Sequence, residues 1–390
     1  MQKTRTQPRL RDMSRAATRH ALLLAGISLS IACGGSASST GGTTPVAHAE
    51  VARRQAEPID YLPADSFIVA QLNLNRLRSS PYISFVDQWL ELLRRSAAQS
   101  GTDAQSTYER ILSIYRGADS VFVGVAAFEE GAGSRISQGG EHAPPRMVLV
   151  LHGSFAEGEL EGFLRDPPGR DHENNRVETR DGHLVVQAGR RDNVRVLLAD
   201  ANTVVLAVDM GIEEALAVAN GAEPQLRPDG PMRALASQSG LGEHVLDVSV
   251  LATPEARRAL AERAAGSGDS TLMAAFAETL EHVTAYVALA DGIQIGARIQ
   301  TSNRLSAVAI TQQINQKLEQ TANQPALMLM GLAEPVRSAR AHVDGTASVI
   351  ELSMDDGQAR ALLERIGGLV NMLLAPSQSD PQPINTPSQF

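Results

Sequence analysis

Cysteine is nearly absent: a chain of 390 residues has one, Cys33. A single thiol excludes an intramolecular disulfide and any zinc or iron–sulfur site built from several cysteines. Aromatic residues are 4% of the chain, with one Trp, too few for a carbohydrate- or base-stacking platform. Lysine is confined to Lys3 and Lys317. Against 44 acidic residues the 35 basic ones leave a net charge of -9, which argues against a nucleic-acid or anionic-lipid footprint. No G-x-G-x-x-G follows a strand-like run, which argues against a dinucleotide fold. None of the nine His shows H-x-H or H-x-x-x-H spacing, so no ready metal pair stands out. Length works the other way: the chain is ample for a sizeable core without staples.

What is present begins with an order of charge and hydropathy. Lys3, Arg5, Arg9, Arg11, Arg15 and Arg19 precede the apolar run Ala21–Ala32 (ALLLAGISLSIA), and small residues follow. Basic segment, apolar run and small residues are the parts of a secretory signal peptide. The run is too short to cross a ~30 Å hydrocarbon core as a helix. The sole Cys closes it, in Leu29-Ser30-Ile31-Ala32-Cys33-Gly34-Gly35. This stretch resembles the lipobox of bacterial lipoproteins, and the resemblance covers residues 1–35. It implies cleavage before Cys33 and thioether lipidation of its sulfur. The pattern departs from the family at Ser30, where Leu is usual; Leu29 stands one place earlier. Cleavage after Ala47-His48-Ala49 and an unmodified Cys33 are the competing readings. Acylation also removes an unpaired thiol from an oxidising compartment. A single chain anchors only marginally, so stable attachment takes further chains. In a Gram-negative cell the resemblance, with Gly34 after the Cys, implies outer-membrane sorting.

The organisation expected is as follows. Residues 1–32 are signal peptide, and 33–58 are lipidated Cys and flexible tether, rich in Gly, Ser and Thr. Residues 59–225 and 240–374 are two α+β repeats, with a boundary in the Gly- and Pro-containing stretch Asn220–Gly240. Residues 375–390 are a disordered tail. Strand 65–74 alternates, with Ile68, Ala70, Leu72 and Leu74 on one face. Ser80-Pro81 and Thr253-Pro254 read as helix starts. Asp181-Gly182, Asp291-Gly292 and Asp344-Gly345 read as hairpin turns, and Asp200-Ala201-Asn202 as a fourth. Met147–Leu151 is apolar on both faces, as a central strand is. Strand, capped helices, hairpins and closing helix recur at matching ranks in each half, which points to duplication. The fold class expected is therefore α+β: two tandem copies of a mostly antiparallel sheet with helices packed on one face. The opening Leu62-Pro63-Ala64-Asp65 resembles uncharacterised deltaproteobacterial and myxobacterial envelope proteins whose domains begin "LPAD"; the resemblance implies no catalytic residues.

Candidates for chemistry are thin. His152-Gly153-Ser154 ends a strand but lacks the G-x-S-x-G frame of a nucleophile elbow; the bland alternative is a strand end and helix cap. Asp171-His172-Glu173 is the densest ligand cluster, in a loop where adjacent side chains do not converge. Glu281-His282 is weaker. Glu129-Glu130, Glu213-Glu214 and Asp355-Asp356 are paired carboxylates, the last two at helix starts that favour negative charge. Arg94-Arg95 and Arg190-Arg191 read as solvated ends. The run Ala326-Leu327-Met328-Leu329-Met330 is an adaptable apolar surface or a plain core helix.

The function expected is a non-enzymatic cell-envelope lipoprotein of binding or scaffold type, lipidated at Cys33 and lying at the outer membrane of a Gram-negative bacterium. The alternative is a carrier of lipid or another apolar ligand in a groove between sheet and helices. A hydrolase resting on Ser154 comes last. No cofactor, metal or nucleic acid is expected. The partners are the membrane, through acylated Cys33, and an envelope protein or lipid.

Overall fold

The computed structural model describes residues 56–374, apart from 101, 127–145, 167–174, 188–193, 209–211 and 266–275. The expected signal segment, the expected tether as far as residue 55, with Cys33, and the tail lie outside these residues. The tether's last three residues, 56–58, are described, and there the expectation is corrected, because Pro58 opens the 3-10 turn Pro58–Tyr61 with Glu57 as its cap.

Twelve strands among the described residues form one sheet: β1 Ser66–Asn73, β2 Ala118–Ala126, β3 Met147–Gly153, β4 Arg176–Arg180, β5 His183–Gln187, β6 Val194–Asp200, β7 Thr203–Val208, β8 Leu246–Leu251, β9 Leu280–Leu289, β10 Gly292–Thr301, β11 Arg340–Asp344 and β12 Ala347–Asp355. Their order is β11-β12-β10-β9-β8-β1-β2-β3-β7-β6-β5-β4. The fold class is thus α+β with a large antiparallel sheet. The expectation of a separate sheet for each half is corrected: β1 pairs with β8, from Ile68↔Val250 to Leu72↔Leu246. Each opening strand would otherwise be an open edge with unpaired N–H and C=O groups. The order is mirrored about that pair, with β2 and β3 leading outward on one side and β9 and β10 on the other.

The helices are α1 Leu74–Arg78, α2 Ile83–Ser100, α3 Thr102–Gly117, α4 Glu159–Arg165, α5 Glu213–Ala219, α6 Pro231–Gln238, α7 Pro254–Ala265, α8 Arg304–Ala322, α9 Pro325–Met330, α10 Ala333–Ser338 and α11 Asp356–Leu374. They pack on both faces of the sheet, not on one. Side chains alternate along a strand, so the two faces follow from register. On one face Val69, Phe122, Val150, Leu197 and Val205 are buried in a core closed by Ile59, Tyr61, α5 and α6. On the other, α4 seats Leu160 and Leu164 on Leu184, Val186 and Val196. Further along that face, α11 and the start of α2 close over Ile293 and Met354. The expected boundary Asn220–Gly240 contains α6, whose Met232, Leu235 and Ala236 are core residues.

Local signals account for most elements and fail at identifiable places. Asn73 ends the first strand and caps α1, its Oδ1 accepting from Arg76 N at 3.0 Å, so Leu74 is helical and fully buried rather than the last strand residue. Ser80-Pro81 forms a turn and the helix begins at Ile83; Ser80 Oγ accepts from Tyr82 N at 3.3 Å. Thr253 caps α7 as expected, accepting from Ala256 N at 3.2 Å. The 181–182 hairpin has positive φ at both residues, 51° and 86°, as a type I′ turn requires. Asp291-Gly292 does not follow that pattern: Gly292 already lies in β10, opposite Asp355. A Cβ there would sit 2.1 Å from Met354 O, so close backbone approach explains the glycine.

Candidate functional site

The residues singled out by sequence do not converge. Ser154 Oγ donates to Asp119 at 3.4 Å, and its N–H donates to Gly117 O at 2.7 Å. His152 instead meets Thr203 Oγ1 through Nδ1 at 3.1 Å. No Ser–His contact arises, and the strand-end reading of Gly153-Ser154 explains the backbone bond. Gly153 allows β3 to pass Gly117, whose oxygen would stand 2.1 Å from an added Cβ. Asp171-His172-Glu173, Glu129-Glu130 and Arg190-Arg191 lie outside the described residues. Among the described residues no group of three His, Cys, Asp or Glu side chains could hold a metal ion.

The paired carboxylates and the remaining charges are held locally. Glu213 opens α5, where backbone N–H donation, its own first, holds its carboxyl below the usual range; Arg195 and Arg180 add to this. Asp356 pairs with Arg360 at 2.8 Å, and Asp355 accepts from Gln358 N at 2.8 Å. Arg94 and Arg95 both grip Glu91, at 2.6 and 2.9 Å, and hold its carboxyl down at about 2. Glu281 is exposed. His282 is half-buried, and burial lowers its imidazole below its ordinary value.

Two constellations were invisible to sequence reading. The first is a polar cluster at the start of β8. Asp247, 1% exposed, accepts from Gly242 N at 2.9 Å, His244 N at 3.2 Å and His244 Nδ1 at 2.7 Å. The imidazole stacks on Tyr286 with ring centroids 4.2 Å apart. Tyr286 in turn lies over Gly296, where a Cβ would come within 2.2 Å of the phenol ring. The cluster clamps the turn before β8 onto β9 and β10.

The second is an aliphatic face. Register places Ala70, Val248, Ala285 and Ala297 opposite one another across β1, β8, β9 and β10. Directly opposed residues share a face. The row two residues to one side is Leu72, Leu246, Val287 and Ile295; on the other side it is Ile68, Val250, Val283 and Ile299. All twelve are half-buried except Ile295, which is 40% exposed. On β1 and β8 the neighbours on the opposite face behave differently, Val69 and Ser249 being 0% exposed; on β9 and β10 they do not, Thr284 and Arg298 being half-buried and Gln294 exposed. The face is bounded by α2 and α11, which pack on Val287, Leu289 and Leu352, and by α8 over β12, where Thr311 Oγ1 donates to Ser348 Oγ at 2.8 Å.

The aliphatic run 326–330 forms α9. Met328 is 58% exposed, so it is not a core side chain. A separate cleft of about 450 Å³ lies between α4 and the β4–β5 and β6–β7 turns. Of its charged lining residues, Glu161 and Arg165 are paired with each other at 2.7 Å, and Asp200 accepts from Asn202 N at 2.7 Å. Among the described residues no helix is long and apolar enough to cross a membrane.

No family model matches the chain, and no curated protein matches it. Among solved structures, three crystal forms of TP0453 are similar. Form I covers 81% of this chain and 99% of that chain, at 11% identity and a TM-score of 0.40. Form III covers 80% and 99%, at 11% identity and a TM-score of 0.43. Form IV covers 82% and 98%, at 10% identity and a TM-score of 0.44.

Proposed function

We propose that this chain is a non-enzymatic cell-envelope lipoprotein of binding type, lipid-anchored through Cys33, whose contact surface is the half-buried aliphatic face of the sheet. The observation that carries this reading is the unequal covering of the two faces along β1 and β8. One is closed by the 58–61 turn, α5 and α6. The other keeps a continuous aliphatic surface in partial contact with solvent, with Ile295 40% exposed. Contiguous apolar surface that a fold leaves uncovered is the usual mark of an interaction site. The isolated environments of Ser154 and His152 favour a structural role for both.

The body belongs to two repeats, 59–225 and 240–374, fused edge to edge. The mirrored strand order about β1 and β8 supports that history, as do equivalent hairpins β6–β7 and β11–β12 followed by α5 and α11. The first repeat carries an additional hairpin, β4–β5, at its edge. The chain is pinned to the body from Glu57 on, before the expected tether ends at 58: Arg233 holds Asp60 at 2.7 Å and Glu57 at 2.6 Å.

The test is fractionation of the full-length chain and of Cys33→Ala in a Gram-negative host, with the mass of the mature N-terminus. Acylated Cys33 in the outer-membrane fraction and a soluble Cys33→Ala are expected. An unmodified Cys33, or a variant that fractionates with the membrane as before, overturns the anchoring.

A further inference from the structure

Resting on that reading, we infer that the aliphatic face holds a single extended hydrocarbon chain, of the kind carried by fatty acids and acyl lipids, lying across strands β1, β8, β9 and β10. Three features select this occupant. The first is chemical. The central row is Ala70, Val248, Ala285 and Ala297, and its shoulders are Leu, Val and Ile. None of these side chains offers a hydrogen bond, so a sugar, nucleotide or peptide backbone placed there would leave polar groups unsatisfied, at a cost of about 1–3 kcal/mol each.

The second is topological. β1, β8, β9 and β10 are all internal strands with a partner on both sides. Their ladder groups are spent, so a visiting chain cannot add as a further strand.

The third is shape. Three of the four central residues are alanine, and both shoulder rows are larger, so the surface is a furrow running perpendicular to the strands. With strands about 4.8 Å apart it extends roughly 14 Å from β1 to β10. The shoulder rows are four residues apart, about 13 Å between Cα rows, and their branched side chains fill the margins. An amphipathic helix, about 10–12 Å across with its side chains, is too wide to settle between them. A single methylene chain is not, and each buried CH₂ gains about 0.8 kcal/mol.

The probe is oleate, and the readout is native mass spectrometry of the full chain carrying Cys33→Ala, so that its own acyl groups do not compete. Oleate is expected to bind as a defined adduct. Ala285→Phe and Ala297→Phe, which fill the furrow, are expected to weaken binding at least tenfold; Gln294→Ala, exposed on the opposite face, leaves it unchanged. Ala285→Leu and Ala70→Leu, smaller changes that keep the fold by circular dichroism, are expected to give an intermediate loss. No oleate adduct, or equal binding by the folded Leu variants, overturns the inference. If oleate fails while Cys33 still directs the chain to the membrane, the occupant is wrong and the envelope reading stands. If Cys33→Ala leaves fractionation unchanged, the envelope reading falls whatever oleate does.

Discussion

Asn315, on α8, treats Ala341 of the edge strand β11 as a partner strand would. Its Nδ2 donates to Ala341 O at 2.9 Å, and its Oδ1 accepts from Ala341 N at 3.0 Å. An outermost strand presents backbone groups that invite pairing with another chain. Here one carboxamide occupies both groups of Ala341, the second of the strand's five residues. Asn315→Ala is expected to lower stability by about 1–3 kcal/mol, the cost of leaving those groups without a protein partner. It should also raise concentration-dependent light scattering. Asn315→Gln, one methylene too long for the same geometry, should recover neither. Unchanged unfolding midpoint and scattering in the Ala variant would show that water serves this edge as well.

Asp247 is the most demanding polar residue of the sheet. It is 1% exposed and accepts three hydrogen bonds, two of them from His244. Removing the carboxylate leaves buried donors unpaired, so Asp247→Ala should cost on the order of 3 kcal/mol. The stack of His244 on Tyr286 depends on the same anchor. In the variant, the Tyr286 ring resonances should move together with those of His244. A stability loss without movement of Tyr286 would separate the turn from the stack.

How far the sequence carried the structure depends on the range of each interaction. β1 was legible as 65–74 against the observed Ser66–Asn73, because its alternation is local. Thr253-Pro254 and the 181–182 hairpin were legible because a cap and a turn are written in neighbouring residues. The union of β1 with β8 was not, since Ile68 and Val250 share no local signal. The furrow was hidden for the same reason. Ala70, Ala285 and Ala297 are unremarkable alone and become a row only through the register of four strands.

Glu91 gives a pH prediction. Its hydrogen bonds to Arg94 and then Arg95 lower its carboxyl from 4.5 to about 2. A carboxylate depressed in the folded state adds stability above its unfolded value and loses it as pH falls through the folded value. The window therefore runs from about pH 4.5 down to about 2. The pair is solvent-exposed, so the effect is small and screened by salt. Thermal unfolding of the wild type should steepen in its pH dependence across that window relative to Glu91→Gln, and the difference should shrink in high salt. Parallel profiles at low salt would remove Glu91 from the acid response.

The sole Trp reports on how α2 meets α11. Trp89 lies beside Gly367, and a Cβ there would stand 3.2 Å from its Nε1. Glycine inside a helix costs about 0.5–1 kcal/mol relative to alanine, so its presence in α11 has to be offset by something alanine would disturb. Close approach of the indole is that compensation. Gly367→Ala gains helix propensity but needs the indole to give by a few tenths of an ångström, so its net effect should be small. Gly367→Leu cannot be absorbed in that way and should push the two helices apart. The helix pair bounds the aliphatic face through Val287 and Leu289, so the same variant should also expose more of that face. The expected signature is a red shift of Trp89 emission together with increased binding of a hydrophobic dye, both absent in Gly367→Ala. A red shift without added dye binding would show that the helices separate while the aliphatic face keeps its cover.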